Sequence, residues 1–508
     1  MACRLAGLSS RDHCSKPEAS GPDYTLHREE PHIVEDVTAS DRETFLSRVI
    51  RPQLSVNSGV YSVIDRSLRP TMNRLGEYEY EGLDLSYDGP AARLLQVSAF
   101  AGVGLPEDQI ARQLYGSHPS SAHHPVAGYH LGAFAGWSLD ADLRANASSG
   151  GLTTWLLLEL FRLGRIDGVV HLAPATEGGS LFSYRISRTP DEIRGGMKSR
   201  YYPGELSSSL REILTVPGRY AVVGIPSFIY EVRLLQNLDP MFRDRIQYTL
   251  GLICGHQKTA NYASALAWRA GFEPGTLTSI DFRKKVSGEP ANAYSTEFTG
   301  IVDGRLTTRR RSQSELFGTD WGWGFFKSNF SDFTQDALNE TSDVVLGDAW
   351  LPQYVRDSSG TNVVLTRSAE MHELLREGQR RGDVHLDPIF VEDVVRSQAS
   401  LVRQSVLELP YRYSFLQKRG AYVPGLRREE GKRLGAARRQ LQRARLEMSR
   451  KSHTAFEKAL EVRDLGEFDR AMGPLVERYV RVQKRARIEA KLAEGPSAVF
   501  QALRWRFG

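Results

Sequence analysis

Short apolar runs that end in a glycine-containing turn and continue with helical spacing recur along the middle of this chain, and they limit its fold more than any other feature. The stretch "YAVVGIPSFIYEVRLL" (220–235) is one example. From about 126 to 412, β-type runs alternate with longer helical runs, as layers of helices on a sheet require. The predicted fold class is therefore α/β with a mixed sheet core, in which Gly-rich strand–helix turns form a ligand pocket.

The predicted elements can be placed from these patterns. Helices are expected to follow three of the turns, within 148–164, 224–238 and 255–271. The predicted strands are 168–172, 182–187, 220–225, 246–254, 342–347 and 361–367.

The turns themselves suggest a ligand. The first turn of a helix leaves backbone N–H groups unpaired and carries a partial positive charge, so small residues before it let a phosphate approach the backbone. Three such turns in one region are typical of a cradle for a large phosphate-bearing cofactor. Glycine used only to turn the chain tightly is the alternative at each of them.

Composition excludes two classes of protein. The longest apolar runs, such as "WLLLEL" (155–160), are far shorter than the roughly 20 residues of a membrane span. The three cysteines, Cys3, Cys14 and Cys254, are too few and too widely spaced for a disulfide framework or a cysteine-ligated metal site. We expect a cytoplasmic protein with a flexible tail over residues 1–40.

The charge is distributed unevenly. Residues 426–508 contain 21 Lys and Arg against 11 Asp and Glu, whereas the rest of the chain is mildly acidic. In 426–451, Leu434, Leu441 and Met448 are spaced by seven, which predicts a helix, and we expect it to pair with residues 453–492 in a hairpin. This basic face could contact an anionic membrane surface or a protein partner, or it could dock on the acidic body. A base-reading motif is not apparent, so nucleic acid is not an expected partner.

The amino-acid sequences of these turns resemble those of a known family. "RANASSGGLTTWLL", "KSRYYP", "GRYAVVGIPSFIYEVRLL", "LGLICGHQKT", "IDFRKK", "ETSDVVLGDAW" and "DSSGTNVVLTRS" occur in the order found in β subunits of coenzyme F420 hydrogenases and dehydrogenases. The resemblance covers about residues 126–370. It implies an FAD-dependent protein that normally carries iron–sulfur clusters, with members associated with bacterial polysaccharide gene clusters.

The resemblance also assigns site residues, all as expectations. FAD would be held at five places along the chain: Ser148, Ser149, Gly150, Gly151 and Thr153; Lys198, Ser199 and Tyr201; Gly224, Pro226 and Ser227; Gly255 and Lys258; and Gly347, Asp348 and Trp350. His256 and Cys254 are the candidate catalytic residues.

For several of these residues, the sequence is also compatible with a purely structural role. Cys254 could be a redox-active thiol or an inert buried one, and His256 could move a proton, bind phosphate or only stabilise its turn. Lys258 and Arg283 could pair with phosphate or be solvated, and Trp350 could stack on a ring or belong to the core.

This chain departs from the family pattern at the residues that bind iron–sulfur clusters in the family. By the resemblance, Ser227, Ser331 and Thr334 stand where the family has cysteines, and so do Ser55, Ser58 and Tyr61; Cys254 alone keeps its sulfur. Thiolates hold iron–sulfur clusters, so we expect FAD as the cofactor, no iron–sulfur cluster and no metal. The aromatic segment 320–330, with Trp321, Trp323, Phe325 and Phe326, is expected to fill the space that a cluster would leave.

These interpretations give four regions and two functions. The regions are a tail (1–40), a degenerate ferredoxin-like region (41–125), an α/β core with a flavin pocket (126–412) and a basic helical extension (413–508). The favoured function is an FAD-dependent oxidoreductase without iron–sulfur clusters, linked to polysaccharide biosynthesis, whose redox partner or small-molecule substrate is unknown. The alternative is a catalytically silent scaffold protein on the same fold.

Overall fold

A mixed eight-stranded sheet forms the centre of the protein and determines where its turns meet. The structure is a computed structural model, and it describes residues 39–176, 179–428 and 433–493. The predicted tail lies almost wholly outside the described residues, as do Cys3 and Cys14. None of the helices in the described ranges combines the length and apolar character needed to cross a bilayer.

The described part of the chain contains fifteen strands. In chain order they are β1 (Arg69–Met72), β2 (Tyr78–Glu81), β3 (Ala122–His124), β4 (Gly128–His130), β5 (Gly132–Ser138), β6 (Gly168–Pro174), β7 (Phe182–Ser187), β8 (Tyr220–Gly224), β9 (Ile246–Leu252), β10 (Leu277–Lys284), β11 (Ser295–Val302), β12 (Arg305–Ser312), β13 (Val344–Asp348), β14 (Asn362–Thr366) and β15 (Val384–Pro388).

Seventeen α-helices accompany them within the same ranges. They are α1 (Ala39–Phe45), α2 (Tyr61–Ile64), α3 (Ala91–Val97), α4 (Glu107–Tyr115), α5 (Ala141–Asn146), α6 (Leu152–Arg162), α7 (Pro190–Gly195), α8 (Ser207–Thr215), α9 (Pro226–Leu238), α10 (Pro240–Arg245), α11 (Ala260–Arg269), α12 (Ala369–Arg381), α13 (Val391–Ser397), α14 (Ala399–Val402), α15 (Leu409–Gln417), α16 (Ala436–Val462) and α17 (Leu465–Ala493).

The order of strands in the large sheet is β15-β5-β14-β13-β9-β8-β6-β7. Its centre, β13-β9-β8-β6, is parallel, and the outer pairings are antiparallel. Separate apolar clusters cover the two faces, one built around α6 and α12 and the other around α8, α9 and the N-terminal helices. The α/β prediction is therefore confirmed, and the central strands are apolar throughout because both faces are buried.

The six predicted strands correspond to β6, β7, β8, β9, β13 and β14, and the three predicted helices to α6, α9 and α11. The patterns did not predict β5, β15 or the three-stranded sheet β10-β11-β12. The sequence of β5, "GAFAGWS", contains two glycines and lacks β-branched residues, and β12 is a mostly exposed edge strand rich in arginine. β5 therefore lacks the β-branched content that identifies a strand, and the run of three arginines in β12 hides the alternation of apolar and polar residues.

The C-terminal segment forms the predicted hairpin, but its turn lies later in the sequence. α16 continues to Val462 and ends where Arg463 adopts φ of 52°, so the predicted break near residue 452 is wrong. The reason is that Phe456 continues the buried face of Leu441 and Met448. Arg269 pairs with Asp469 of α17, which helps to dock the hairpin on the body.

A buried ion pair joins α9 to the strand β13. The guanidinium of Arg233 donates hydrogen bonds to Asp343, Thr249 and the hydroxyl of Tyr115 at 2.9 to 3.0 Å, and to the carbonyl of Thr341 at 2.9 Å. Asp343 also accepts a hydrogen bond from the backbone N–H of Thr249 at 2.7 Å. Because every partner is engaged, removing one charge would leave the other buried without compensation.

We therefore expect Asp343→Asn to destabilise the fold by about 3–5 kcal/mol. As a control, Arg470→Ala removes the exposed pairs of Arg470 with Asp464 and Glu467 and should leave the free energy of unfolding nearly unchanged, because exposed ion pairs contribute little to stability. Urea unfolding followed by circular dichroism measures both. Equal effects of the two substitutions would contradict this assignment of the buried network.

Candidate functional site

A cavity of about 250 Å³ opens where the carboxyl ends of the parallel strands meet. Ligands of open α/β sheets bind at this edge. Its lining residues form six groups in chain order: Ala147, Ser148, Ser149, Gly151, Thr153, Thr154 and Leu157; His171, Leu172 and Tyr184; Gly196, Met197, Lys198, Ser199, Arg200, Tyr201, Tyr202 and Gly204; Val223, Ile225 and Phe228; Leu252, Ile253, Cys254, His256, Gln257 and Lys258; and Arg283, Leu346, Gly347, Asp348 and Asn362.

The first wall is the turn before α6, which two glycines hold close to the sheet. A Cβ atom on Gly150 would lie 2.6 Å from the carbonyl oxygen of Gly136, and Gly151 has φ of 84°, which disfavours other residues. Asn362, at the start of β14, accepts a hydrogen bond from the N–H of Leu152 at 3.2 Å. The start of α6, including Thr153, therefore faces the cavity in a fixed position.

The second wall is the segment that contains Lys198, Ser199 and Tyr201. The N–H of Ser199 donates a hydrogen bond to the hydroxyl of Ser148 at 2.8 Å, so this segment is tied to the first turn. Lys198 adopts φ of 92° and pairs with Asp281 at 3.2 Å. A lysine in this region of backbone space is strained, and such strain is commonly found at functional sites.

Two arginines bring positive charge to the cavity. Arg283 forms a two-bond ion pair with Asp348 at 2.7 and 2.9 Å. Arg200 has no such carboxylate bond: it donates to the carbonyl of Met197 at 2.7 Å, while its Nε is buried without a hydrogen-bond partner among the described residues. Burial lowers the pKa of Arg200 to about 10, so the side chain stays charged at neutral pH. The cavity thus contains an incompletely satisfied cation.

The third wall is the turn after β9. Lys258 is 2% exposed, its Nζ donates to the carbonyl of Phe325 at 2.6 Å, and the rings of Tyr262 and Trp321 lie within 5 Å. Burial, with the charge of Lys327, lowers the pKa of Lys258 to about 7. This lysine can therefore change its charge near neutral pH.

The two candidate catalytic residues lie beside it. Burial raises the pKa of Cys254 to about 11, so its thiol stays protonated at neutral pH. Burial, with the charges of Lys258 and Lys327, holds the pKa of His256 well below its usual range, and its Nε2 has no hydrogen-bond partner among the described residues. His256 is thus a neutral imidazole that can exchange hydrogen bonds with a ligand.

The chain around the turn before α9 lines the cavity, but with residues other than those predicted. Val223, Ile225 and Phe228 line the cavity, whereas Ser227 is 4% exposed inside the protein. Six predicted residues do not line the cavity: Gly150, Gly224, Pro226, Ser227, Gly255 and Trp350. The ring of Trp350 instead lies 5.5 Å from the guanidinium of Arg283, which in turn contacts the cavity.

Several hydroxyl groups at the expected cysteine places have acquired hydrogen bonds. Ser331 accepts a hydrogen bond from the N–H of Gln257 at 3.1 Å, Ser58 donates one to Glu231 at 2.5 Å, and the hydroxyls of Tyr61 and Ser98 lie 2.6 Å apart. Among the described residues, groups of three or more His, Cys, Asp or Glu side chains that could hold a metal ion do not occur.

Part of the aromatic segment 320–330 packs against the C-terminal hairpin. Phe325 and Phe326 are buried, and their rings lie 5.7 and 5.4 Å from those of Phe468 and Phe456. The ring of Trp321 lies 4.6 Å from that of His256 and so supports the third wall. The C-terminal hairpin thus supplies packing partners for this segment that were not predicted from the sequence.

Several lining residues were not predicted as site residues, among them the polar residues Arg200, Asn362, His171 and Tyr184. Arg200 directly follows the predicted Lys198 and Ser199, and Asn362 lies in a predicted strand next to the predicted turn. His171 and Tyr184 lie within predicted strands, and burial, with the charges of Arg185 and Arg200, lowers the pKa of His171 to about 4. The position of Arg200 in the sequence could have identified it. The other three residues could be assigned to the site only once the order of strands in the sheet was known.

Comparisons with known proteins match two consecutive parts of the core. Residues 133–211 match the family that describes the N-terminal part of the coenzyme F420 hydrogenase/dehydrogenase beta subunit. Residues 218–391 match the family that describes the C terminus of the same beta subunit. Among curated proteins, no relative matches this chain significantly.

Solved structures also include matches. One is a chain of the xenon-derivatized F420-reducing NiFe hydrogenase complex from Methanosarcina barkeri, with a TM-score of 0.45 and 16% identity, over 61% of this chain and 99% of that chain. The sequence matches to both parts of the core carry the assignment: this chain belongs to the coenzyme F420 hydrogenase/dehydrogenase β-subunit family.

Proposed function

We propose that the cavity binds FAD and that the protein is a flavin-dependent oxidoreductase without iron–sulfur clusters. The observation that carries this proposal is the meeting of the α6 N-terminus with the buried, incompletely paired guanidinium of Arg200 at one sheet edge. A helix N-terminus and an arginine together favour a phosphate-bearing ligand. Membership of a family of hydrogenase and dehydrogenase subunits supports a redox role.

The cavity residues fit such a cofactor. Arg200 and the turn 148–153 would hold the diphosphate, and the rings of Tyr184 and Tyr201 give apolar surface for the flavin. His256 offers the ligand a ring nitrogen that has no other partner among the described residues. FAD is larger than 250 Å³, so one end of it would extend beyond this cavity.

FAD supplies hydride-transfer chemistry when bound, and the side chains around it supply orientation and exclusion of water. Cys254 stays a protonated thiol and contributes as a small apolar group. The absence of clusters is proposed because the expected cysteine places carry hydroxyl groups, which do not replace thiolates as iron ligands. The cytoplasmic setting and the link to polysaccharide biosynthesis belong to the same proposal and rest on the sequence analysis.

A silent scaffold on this fold is the competing function, and FAD affinity separates the two. We expect the full chain to bind FAD, and Arg200→Met to weaken binding about 10- to 100-fold because a charge-assisted hydrogen bond to the ligand is lost. Arg450→Met, on the exposed face of α16, is the matched control and should leave affinity unchanged. Titration by flavin fluorescence measures both; failure of the wild-type chain to bind FAD would favour the scaffold.

FAD affinity should also depend on pH through Lys258. Its pKa of about 7 means that it is charged below this pH and neutral above it. An anionic ligand favours the charged form and raises the pKa in the complex, so affinity should be constant below about pH 7 and decrease above it.

Lys258→Met should remove this decrease, whereas Lys451→Met, which changes an exposed lysine of α16, should retain it. The measurement is the FAD dissociation constant across neutral pH at constant ionic strength. The same decrease in wild type and Lys258→Met would show that another group is responsible.

A further inference from the structure

A second cavity of about 1110 Å³ adjoins the first, and both are lined by Gly204 and Gln257. Its walls are the segment 49–57, the segment 73–85 (the turn before β2, β2 itself and the residues after it), and the segment 328–330. This volume is at the upper end of small-molecule sites.

Gln257 is fixed between the two cavities. Its N–H donates to the hydroxyl of Ser331 at 3.1 Å, and its carbonyl accepts from the N–H of Ser328 at 3.1 Å. The chain beside Gln257 is therefore held in place, and a molecule in the second cavity can reach the wall of the first. Ser331 is one of the hydroxyl residues at an expected cysteine place.

The charge of this second cavity is negative. Among the described residues that line it, Glu77, Glu79, Glu81 and Asp84 are the carboxylates, and the cations are two arginines. Both arginines are engaged by carboxylates that do not line the cavity: Arg51 by Glu43 at 2.5 Å and Arg74 by Glu457 at 2.7 Å. A phosphate or carboxylate entering here would meet like charge without a free cation to compensate it.

One carboxylate is poised to accept a hydrogen bond. Burial, with the charge of Glu79, raises the pKa of Glu77 to about 7, although the hydroxyl of Ser328 acts in the opposite direction. Its Oε1 is buried and accepts no hydrogen bond from the described residues. Such an acceptor favours a ligand that donates hydrogen bonds.

The remaining polar lining suits a ligand that also accepts hydrogen bonds. Asn57 and Gln257 contribute amide groups, which both donate and accept. Asn329 offers its amide oxygen as an acceptor, because its Nδ2 donates to the carbonyls of Pro52 and Gln53 at 3.2 and 3.0 Å. Tyr78 and Phe330 add ring surface to the lining. The hydroxyl groups of a sugar ring match this mixture, since each hydroxyl donates and accepts, whereas a simple cation would use the carboxylates alone.

We propose that the second cavity binds the substrate, an uncharged polyhydroxylated molecule of the sugar class, next to the flavin cavity. The identification as substrate rests on the proposed function; the ligand class rests on the lining. The same lining discriminates against phosphate- or carboxylate-bearing coenzymes at this position.

The test uses the full chain reconstituted with FAD and saturation-transfer NMR. The probes are three neutral disaccharides (cellobiose, diacetylchitobiose and trehalose), cellobiouronic acid, which adds one carboxylate to the cellobiose frame, and NADPH. We expect at least one neutral disaccharide to bind, and the two anions to bind about tenfold more weakly or not at all. Binding of none of the neutral sugars, or equal or tighter binding of an anion, would overturn the proposal.

Two cavity variants and one control variant test whether the sugar binds in the second cavity. Glu77→Gln keeps the shape of the side chain and should weaken the neutral sugar about tenfold. Glu81→Lys changes an exposed residue at the end of β2 and should improve the binding of cellobiouronic acid. Glu392→Lys, an exposed residue of α13 outside both cavities, is the control and should change neither. Unchanged binding in both cavity variants would also overturn the proposal.

The two proposals fail differently. Flavin absorbance of each sample reports FAD separately from sugar binding. A flavin-loaded protein that binds no neutral sugar would refute this inference and leave the proposed function standing. A protein that binds neutral sugar but cannot retain FAD would refute the proposed function while supporting the ligand class.

Discussion

The structure depends on one constraint, that the parallel strands β6, β8, β9 and β13 all end at the same edge of the sheet. Each strand must leave the sheet there through a turn, and each turn exposes backbone groups that need partners. Two further segments that line the cavity at this edge are tied down in the same way: Asn362 accepts a hydrogen bond from the N–H of Leu152 at the start of α6, and the hydroxyl of Ser148 accepts one from the N–H of Ser199. The cavity is the space that remains between turns fixed in this way.

Electrostatics decides what the two cavities can hold. The first contains Arg200, Arg283 and Lys258, and only Arg283 has a carboxylate partner in a two-bond ion pair. The second is lined by carboxylates, with its arginines turned to partners elsewhere. Neighbouring cavities of opposite character suit an anionic cofactor in one and an uncharged, hydrogen-bonding ligand in the other. Between them, Gln257 is held by Ser331, where the family resemblance leads one to expect a sulfur ligand.

The sequence predicted those parts of the fold that local patterns determine. Apolar runs such as 220–225 identified the central strands because strands buried on both faces are continuously hydrophobic. β5 and β12 were missed, since glycines or exposed arginines obscure their pattern. For the site, Ser148 and Lys198 were placed through the resemblance, and the structure brings both to one cavity. Asn362 and His171 could not be assigned, because their approach depends on strand order, which no local pattern encodes. The regions predicted at 41–125 and 413–508 remain predictions as separate domains.

The central claim is that hydroxyl side chains have replaced sulfur ligands while the cofactor cavity is retained. Quantifying flavin and iron together in freshly purified protein, handled without oxygen, tests this claim most directly. We expect one FAD per chain and an iron content no higher than that of a buffer blank. Stoichiometric iron with acid-labile sulfide would contradict the loss of the clusters, and a colourless protein that FAD cannot reconstitute would contradict the retained cavity.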